Sequence, residues 1–401
     1  MIKDRDIVVL GLQAWDIEIG SNCKNIALEF SKNNRVLYVN APLDYTTALK
    51  KRHDPRIQKR KRIIKGQEDD LIELQNNLWN LNPRVYGASI NQLGNNLLFD
   101  KLNKHNNVKY AKQIKSAMER LGFKDIIIFN DSDMFRSYHM KELLSPTTYI
   151  YYTRDNLIAV DYWKKQGIRI EAAHMKKADF VCANSTYLAK LAREFNPHSY
   201  YVGQGCDVSA FDASLVNEIP DDIKNIKKPI IGYIGALLKL RLDIDVLVKI
   251  AKERSDWSIV LVGPEDDAFK ASELHKIENV HFLGNKDGSQ LPAYLAAFDV
   301  ALNPQVLSPV TIGNYPRKID EYLAMGKPTV ATKTEAMSVF ADYCYLAENG
   351  DDYLKYIELA LSENTPEKEK ARAVFAREHS WENNVKAIYE LIEKFESGNL
   401  K

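Results

Sequence analysis

An α/β fold built from two successive doubly wound parallel sheets is what the sequence predicts, and three observations carry that prediction. Short β-rich apolar runs alternate with helical stretches from one end of the chain to the other, the pattern of parallel strands joined by crossover helices. The 401 residues are too many for one comfortable core and suit two α/β domains. Between Cys206 and Pro229 the chain is rich in Asp, Asn and Lys, contains Pro220 and lacks an apolar period, which divides the alternation into two series.

The first series places strands at 7–11, 36–40, 78–82, 126–129, 149–153, 180–183 and 200–202, a complete Rossmann-like unit. The second places them at 230–234, 259–262, 280–283, 300–303, 329–331 and 343–347, and makes another. Residues 371–378 and 380–395 read as helices, with Ser380 as N-cap of the latter. The expected division is an N-terminal domain over 1–207, a linker over 208–228 and a C-terminal domain over 229–379, followed by the terminal helix 380–401.

Charge and composition exclude several classes. The formal net charge of +1 gives no global field for nucleic acid, so any charged partner must be met locally. No apolar run reaches the roughly 18 to 20 residues that span a bilayer, and no signal-peptide core follows Met1, so a cytosolic location is expected. Cys23, Cys182, Cys206 and Cys344 make no C-x-x-C pair and read as packing residues, without structural zinc or disulfides.

The most informative run is Tyr315-Pro-Arg-Lys-Ile-Asp-Glu-Tyr-Leu-Ala-Met-Gly-Lys-Pro-Thr-Val-Ala-Thr332. Pro316 suits a first helical turn, Gly326 with Lys327-Pro328 supplies a stop, and a short apolar strand follows. Lys318 and Glu321 share one helix face, so an ammonium and a carboxylate address one ligand together, or else form a solvated surface pair. The run resembles the nucleotide-binding helix of GT-B glycosyltransferases, especially family 4 and related bacterial polysaccharide enzymes, in which Pro-x-Lys-x-x-Glu-Tyr-Leu-Ala-x-Gly-Lys-Pro-x-Val-Ala is common. The resemblance implies the GT-B architecture, two Rossmann-like domains facing across a cleft with a terminal helix crossing back to the first. It also implies that Glu321 holds a ribose and Lys318 meets the donor phosphates.

Other loops of the second series add to this. The strand 230–234 runs into Gly235, and Lys239 and Arg241 follow before a helix start near Asp243. The resemblance implies that this loop meets the diphosphate and that Leu283, Gly284 and Asn285 hold the base. A plain strand-end turn is the alternative. Tyr315 is expected to stack or hydrogen-bond on the ligand. Many retaining family-4 enzymes carry a second glutamate eight residues before the ribose-binding one, where this chain has Gly313, so the stereochemical course stays open.

Glycosyl transfer needs a neutralised leaving diphosphate and, for inversion, a base for the acceptor proton. Asp155, directly after the strand 149–153, is the leading candidate, with helix capping as its alternative role; Asp131 and Asp133 are second choices. His174 falls inside a helix and is less suited. In the loop after the first strand, Trp15 offers a flat face for a sugar ring, Asp16 and Glu18 offer acceptors, and Gly20 with Ser21 opens a helix. This loop is similar to that of bacterial cell-surface polysaccharide transferases of the teichuronic-acid type.

Lys50, Lys51, Arg52, Arg56, Lys59, Arg60, Lys61, Arg62 and Lys65 form a dense basic run, suited to an anionic membrane surface or else a solvated loop. The resulting expectation is metal-independent hexosyl or glycuronosyl transfer from a nucleotide sugar, UDP favoured, to a saccharide or lipid-linked acceptor, with no cofactor and no nucleic acid. A sugar-nucleotide epimerase of the same architecture and a non-catalytic sugar-nucleotide binding protein are the alternatives.

Overall fold

The computed structural model describes residues 2–17 and 20–400, which divide into two compact units. The first holds residues 1–203 together with 381–401, and the second holds 204–380.

The strands of the first unit are β1 (Asp6–Gly11), β2 (Arg35–Val39), β3 (Leu43–Asp44), β4 (Leu71–Gln75), β5 (Leu78–Leu81), β6 (Tyr86–Gly87), β7 (Ile127–Asp131), β8 (Thr148–Thr153), β9 (Phe180–Ala183) and β10 (Ser199–Tyr201). Eight of them form one sheet in the order β10-β9-β8-β7-β1-β2-β5-β4, parallel except for the β4–β5 pair. β3 and β6 pair separately. The edge strand β4 was not expected: Ile72 and Leu74 do alternate with Glu73 and Gln75, but the run is short and all four residues are exposed at the sheet edge, so no buried apolar run marks it. The central strands are continuous runs such as Val8-Val9-Leu10, which suits a sheet covered on both faces.

One covering layer is the helix Asn22–Ser31 together with the terminal helix Trp381–Glu396. Val385, Ile388, Tyr389 and Ile392 recur at helical spacing and bury against Phe30, with Tyr389 tilted on the Phe30 ring at 5.5 Å. Polar contacts fix the register: Nδ2 of Asn34 donates to the Tyr389 hydroxyl at 2.8 Å, and Arg5 pairs with Glu396 at 2.9 Å.

The second unit carries β11 (Ile230–Ile234), β12 (Ser258–Val262), β13 (Val280–Gly284), β14 (Val300–Asn303), β15 (Thr329–Thr332) and β16 (Tyr345–Ala347), all parallel, in the order β13-β12-β11-β14-β15-β16. The stretch 208–228 is not a loose linker. Ile223 is buried in the second core, and Val208, Phe211, Val216, Ile219 and Ile226 pack against it. Their irregular spacing gives no period, so composition alone hid them. The chain instead passes between units at Gly203–Gln204 and again at Ser380–Trp381. Among the described residues no helix is long and apolar enough to cross a membrane, and all four cysteines are buried and free.

Replacing Ile388 by alanine should destabilise the first unit by about 2–5 kcal/mol, the usual cost of a cavity at a buried aliphatic site. A urea midpoint equal to that of the parent would show that the terminal helix contributes nothing to this core.

Candidate functional site

In a parallel sheet every strand ends at the same edge, and loops diverge where the strand order reverses. In the second unit that point lies between β11 and β14, which are neighbours in the sheet but far apart in sequence. Gly235 follows β11 with φ 141°, and Gly263 follows β12 with φ 148°. The Gly235 amide donates to the Val262 carbonyl at 2.8 Å, and the Gly263 amide donates to the Gly284 carbonyl at 2.9 Å. A Cβ on Gly263 would overlap the carbonyl oxygen of Gly235, and one on Gly235 would lie 2.6 Å from Nζ of Lys318. Positive φ and this close approach together demand glycine at both positions.

The loop after β14 leads into the helix Lys318–Ala324, with Arg317 at its N-cap. This start is two residues later than Pro316 suggested. The Lys318 ammonium donates to the Tyr233 hydroxyl and lies 3.9 Å from the centre of its ring. Burial pulls the Lys318 pKa down to about 7, although the charge of Glu321 opposes this. Burial likewise raises the Glu321 carboxyl, against the charges of Lys318 and Arg317. The Glu321 carboxylate has no hydrogen-bond partner among the described residues, so its acceptor capacity is intact.

Arg241 is exposed, and its charge acts on both Lys318 and Tyr233. Its loop is held by the backbone: the Val306 amide donates to the Arg241 carbonyl at 2.9 Å, and the Lys239 amide donates to Asp266 at 2.9 Å. Asp243 caps the helix Ile244–Glu253 by accepting from the Val246 amide at 3.1 Å. The Lys239 and Arg241 side chains have no ion-pair partner among the described residues. Leu283 packs on the second core, while Gly284 (φ 70°) and Asn285 are exposed at the end of β13.

Tyr315 was expected to stack or hydrogen-bond on the ligand, and the structure turns it inward. It is buried, and its hydroxyl donates to Asp320 at 3.2 Å within a cluster that includes Nδ1 of His379, 2.7 Å from the same carboxylate oxygen. The aromatic ring at this site belongs to Tyr233, which was not expected. It lies inside the strand 230–234, and its partner Lys318 is 85 residues away in sequence. Only the alternation that puts Ile231 and Tyr233 on one face of the strand hinted at it.

The first unit separates its carboxylates by burial. Asp131, at the end of β7, is fully buried and takes Nε of Arg154 at 2.8 Å. Asp133 is buried, accepts from the Arg136 amide at 3.2 Å and pairs with Nε of that side chain at 3.0 Å. Both are thus buried and paired with arginines. The Asp155 side chain is 45 % exposed and pairs with Nη1 of Arg154 at 3.0 Å. Burial works against the charge on Arg154, but Asp131 and Asp155 outweigh it and raise its pKa. The N-cap of the short helix Leu157–Ala159 is Asn156 and that of Asp161–Lys177 is Val160, so Asp155 stands at neither position. His174, inside that helix, is buried, pushed down to about 3 chiefly by burial, and bound to the Tyr149 hydroxyl at 2.7 Å.

The loop after β1 is also more structural than expected. Trp15 stands edge-on to Tyr38 at 5.0 Å with Lys24 over its ring at 5.4 Å, and Asp16 is paired with Arg60 at 3.2 Å. Gly20 is exposed, and Glu18 lies outside the described residues. Ser21 occupies the N-cap of Asn22–Ser31, yet its buried hydroxyl makes no capping bond and has no partner among the described residues.

The basic run is ordered as the turn after Tyr45–Lys50 and the helix Pro55–Ile64, anchored by buried Ile57 and Ile63. Arg56, Arg60 and Arg62 are paired with Asp54, Asp16 and Glu68. Lys61 is partly buried, while Lys50, Lys51, Arg52, Lys59 and Lys65 remain exposed.

Known proteins resemble this chain in sequence and in fold. Residues 228–360 match the family model of glycosyl transferases group 1. The putative teichuronic acid biosynthesis glycosyltransferase TuaH of Bacillus subtilis (strain 168) is 29% identical over 245 residues, 57% of this chain. The match spans only 60% of that relative's length. Sucrose-phosphate synthase from Thermosynechococcus elongatus superposes with a TM-score of 0.62 at 15% identity, over 98% of this chain and all of that one. Anabaena Alr3699/HepE in complex with UDP and glucose gives 0.59 at 15% identity, over 97% and 100%. The α,α-trehalose 6-phosphate synthase from Burkholderia multivorans gives 0.66 at 10% identity, over 99% of both chains. The chain has the GT-B fold, and the stretch 228–360 of its second unit is similar to group 1 glycosyl transferases.

An anion bound at Lys318 favours the charged ammonium, so binding takes up a proton above pH 7. Affinity for a diphosphate should therefore fall as pH rises through and beyond about 7, approaching tenfold per pH unit. Lys318→Arg, permanently charged, should flatten that slope in calorimetric titrations. A slope of zero in the parent would refute the assignment of Lys318.

Proposed function

We propose that this protein is a glycosyltransferase that moves a sugar from a nucleotide sugar, with UDP as the favoured nucleotide, to a saccharide or lipid-linked acceptor in bacterial surface polysaccharide synthesis. The observation that carries this reading is the grouping of Gly235, Lys318 and Glu321 at the carboxyl edge of the second sheet. The match of 228–360 to group 1 glycosyl transferases supports the donor chemistry, and the UDP and glucose bound to HepE support the nucleotide. The description of TuaH supports the polysaccharide context. Neither the epimerase nor the non-catalytic binding protein has a feature of its own in its favour.

In this reading Lys318, Arg241 and the backbone after β11 neutralise the departing diphosphate, and Glu321 accepts from the ribose hydroxyls. Side-chain cations then do what a metal would do in another transferase, so the reaction proceeds without one. Asp155, the half-exposed carboxylate, takes the acceptor proton if the anomeric centre inverts. Gly313 supplies no carboxylate to the donor sugar. The exposed lysines of the basic run suit a cytoplasmic enzyme resting on the inner face of an anionic membrane, at about 1 kcal/mol per residue near the surface.

Glu321→Ala should weaken UDP-sugar binding by about 10- to 100-fold, the usual range for hydrogen bonds to a charged group. Asp155→Asn should leave binding intact and lower kcat by about 10²–10⁴. Unchanged turnover of a true substrate pair by Glu321→Ala would sink the reading. For the membrane contact, flotation with vesicles containing anionic lipid should carry the protein upward, and equal flotation with neutral vesicles would remove charge as the cause.

A further inference from the structure

The first unit contains a cavity of about 500 Å³ to which nothing above assigns a role. Its size is that of a small-molecule site, roughly 300–1,000 Å³. It lies where β6, the helix Asn96–Leu121 and the start of the helix Asp161–Lys177 come together, and no residue described in the loop after β1 lines it. We propose that this cavity binds an anionic saccharide, with Arg136 taking its carboxylate or phosphate and Tyr162 and Trp163 taking its ring. That the saccharide is the glycosyl acceptor rests on the transferase reading; that an anionic sugar binds here does not.

Arg136 lines the cavity with one edge of its guanidinium immobilised. Its Nε donates to both oxygens of Asp133, at 3.1 and 3.0 Å, and Asp133 is itself buried. The terminal nitrogens Nη1 and Nη2 have no hydrogen-bond partner among the described residues. A planar fork held by one edge and open at the other is preorganised for an oxyanion.

Asn103 provides a second donor. It lines the same cavity at 1 % exposure, and its Oδ1 accepts from Asn107 at 3.2 Å, which leaves its own NH₂ without a partner among the described residues. A ligand oxygen in the cavity would accept from that amide. Tyr162, 54 % exposed, and Trp163 stand edge to face at 4.9 Å and offer apolar ring surfaces for the C–H face of a sugar.

Charge selects among sugars. Lys50 and Arg136 line the cavity, and the opposing carboxylate is Asp44, already engaged by the Thr47 amide at 2.9 Å and the Ser89 hydroxyl at 2.8 Å. Asp133 engages only the Nε edge, so a neutral sugar would meet the terminal nitrogens with hydroxyl oxygens alone, the weaker kind of bond. An anionic one pairs the fork.

The test is saturation-transfer NMR on the full chain with glucuronate, glucose 1-phosphate and glucose as probes. One or both anions should give transfer and glucose much less, and the stronger anion tells a uronate from a sugar phosphate. Tyr162→Ala, a surface change, should reduce the signal, and Arg136→Gln should raise Kd at least about tenfold, with Arg136→Lys between. Melting curves of each variant exclude unfolding as the cause. Glucose equal to the anions, no transfer from any probe, or parent-like signals in both Tyr162→Ala and Arg136→Gln would overturn the proposal. The melting shift caused by UDP, read on the same samples, judges the donor reading separately: its persistence with no anion binding would discard the cavity proposal alone.

Discussion

The approach of two backbones, at Gly235 and Gly263, is the constraint on which the second unit's site depends. Parallel strands deliver their loops to one edge, and here those loops meet carbonyl against Cα with no room for a side chain. The space a Cβ of Gly235 would occupy is taken by the Lys318 ammonium, which is thereby set against the Tyr233 ring instead of bulk water. A cation on an aromatic face keeps its charge available, whereas one locked to a carboxylate would not. Its desolvation raises the strength of any bond it makes to phosphate and tunes its proton affinity into the neutral range.

The helix Lys318–Ala324 has a different partner on its other side. Asp320 lies between Lys318 and Glu321 in sequence yet is fully buried, bound to His379 and Tyr315. Burial raises its pKa, and the bond to His379 counters this. A single helical turn therefore carries an inward anchor, Asp320, between the two residues to which the proposed donor site assigns its cation and its carboxylate.

In the first unit one arginine sorts two carboxylates. Arg154 seals Asp131 into the sheet edge, where an unpaired charge would be costly, and leaves Asp155 at the surface. Arg136 repeats the device with Asp133 and lines the cavity. The same residue types are thus sealed in the interior or left at the surface by one arginine partner each. The imidazole of His174, held neutral among Tyr149, Asn130 and the Met134 carbonyl, belongs with the sealed groups.

The local rules of chain geometry were legible in the sequence. The apolar runs located every strand of the parallel core to within a residue or two, and Asp243 and Gly326 marked a helix start and a helix stop because capping and positive φ are properties of single residues. The Lys318–Glu321 spacing showed a shared face, since helical period is local. The tertiary structure alone decided that Tyr233 is the ring under Lys318, that Tyr315 turns inward to Asp320, that 208–228 joins the second core, and that Arg136 borders a cavity. Each of these depends on which distant residues share a volume, and a linear pattern records period and propensity but not the burial and charge that a neighbour supplies from across the fold.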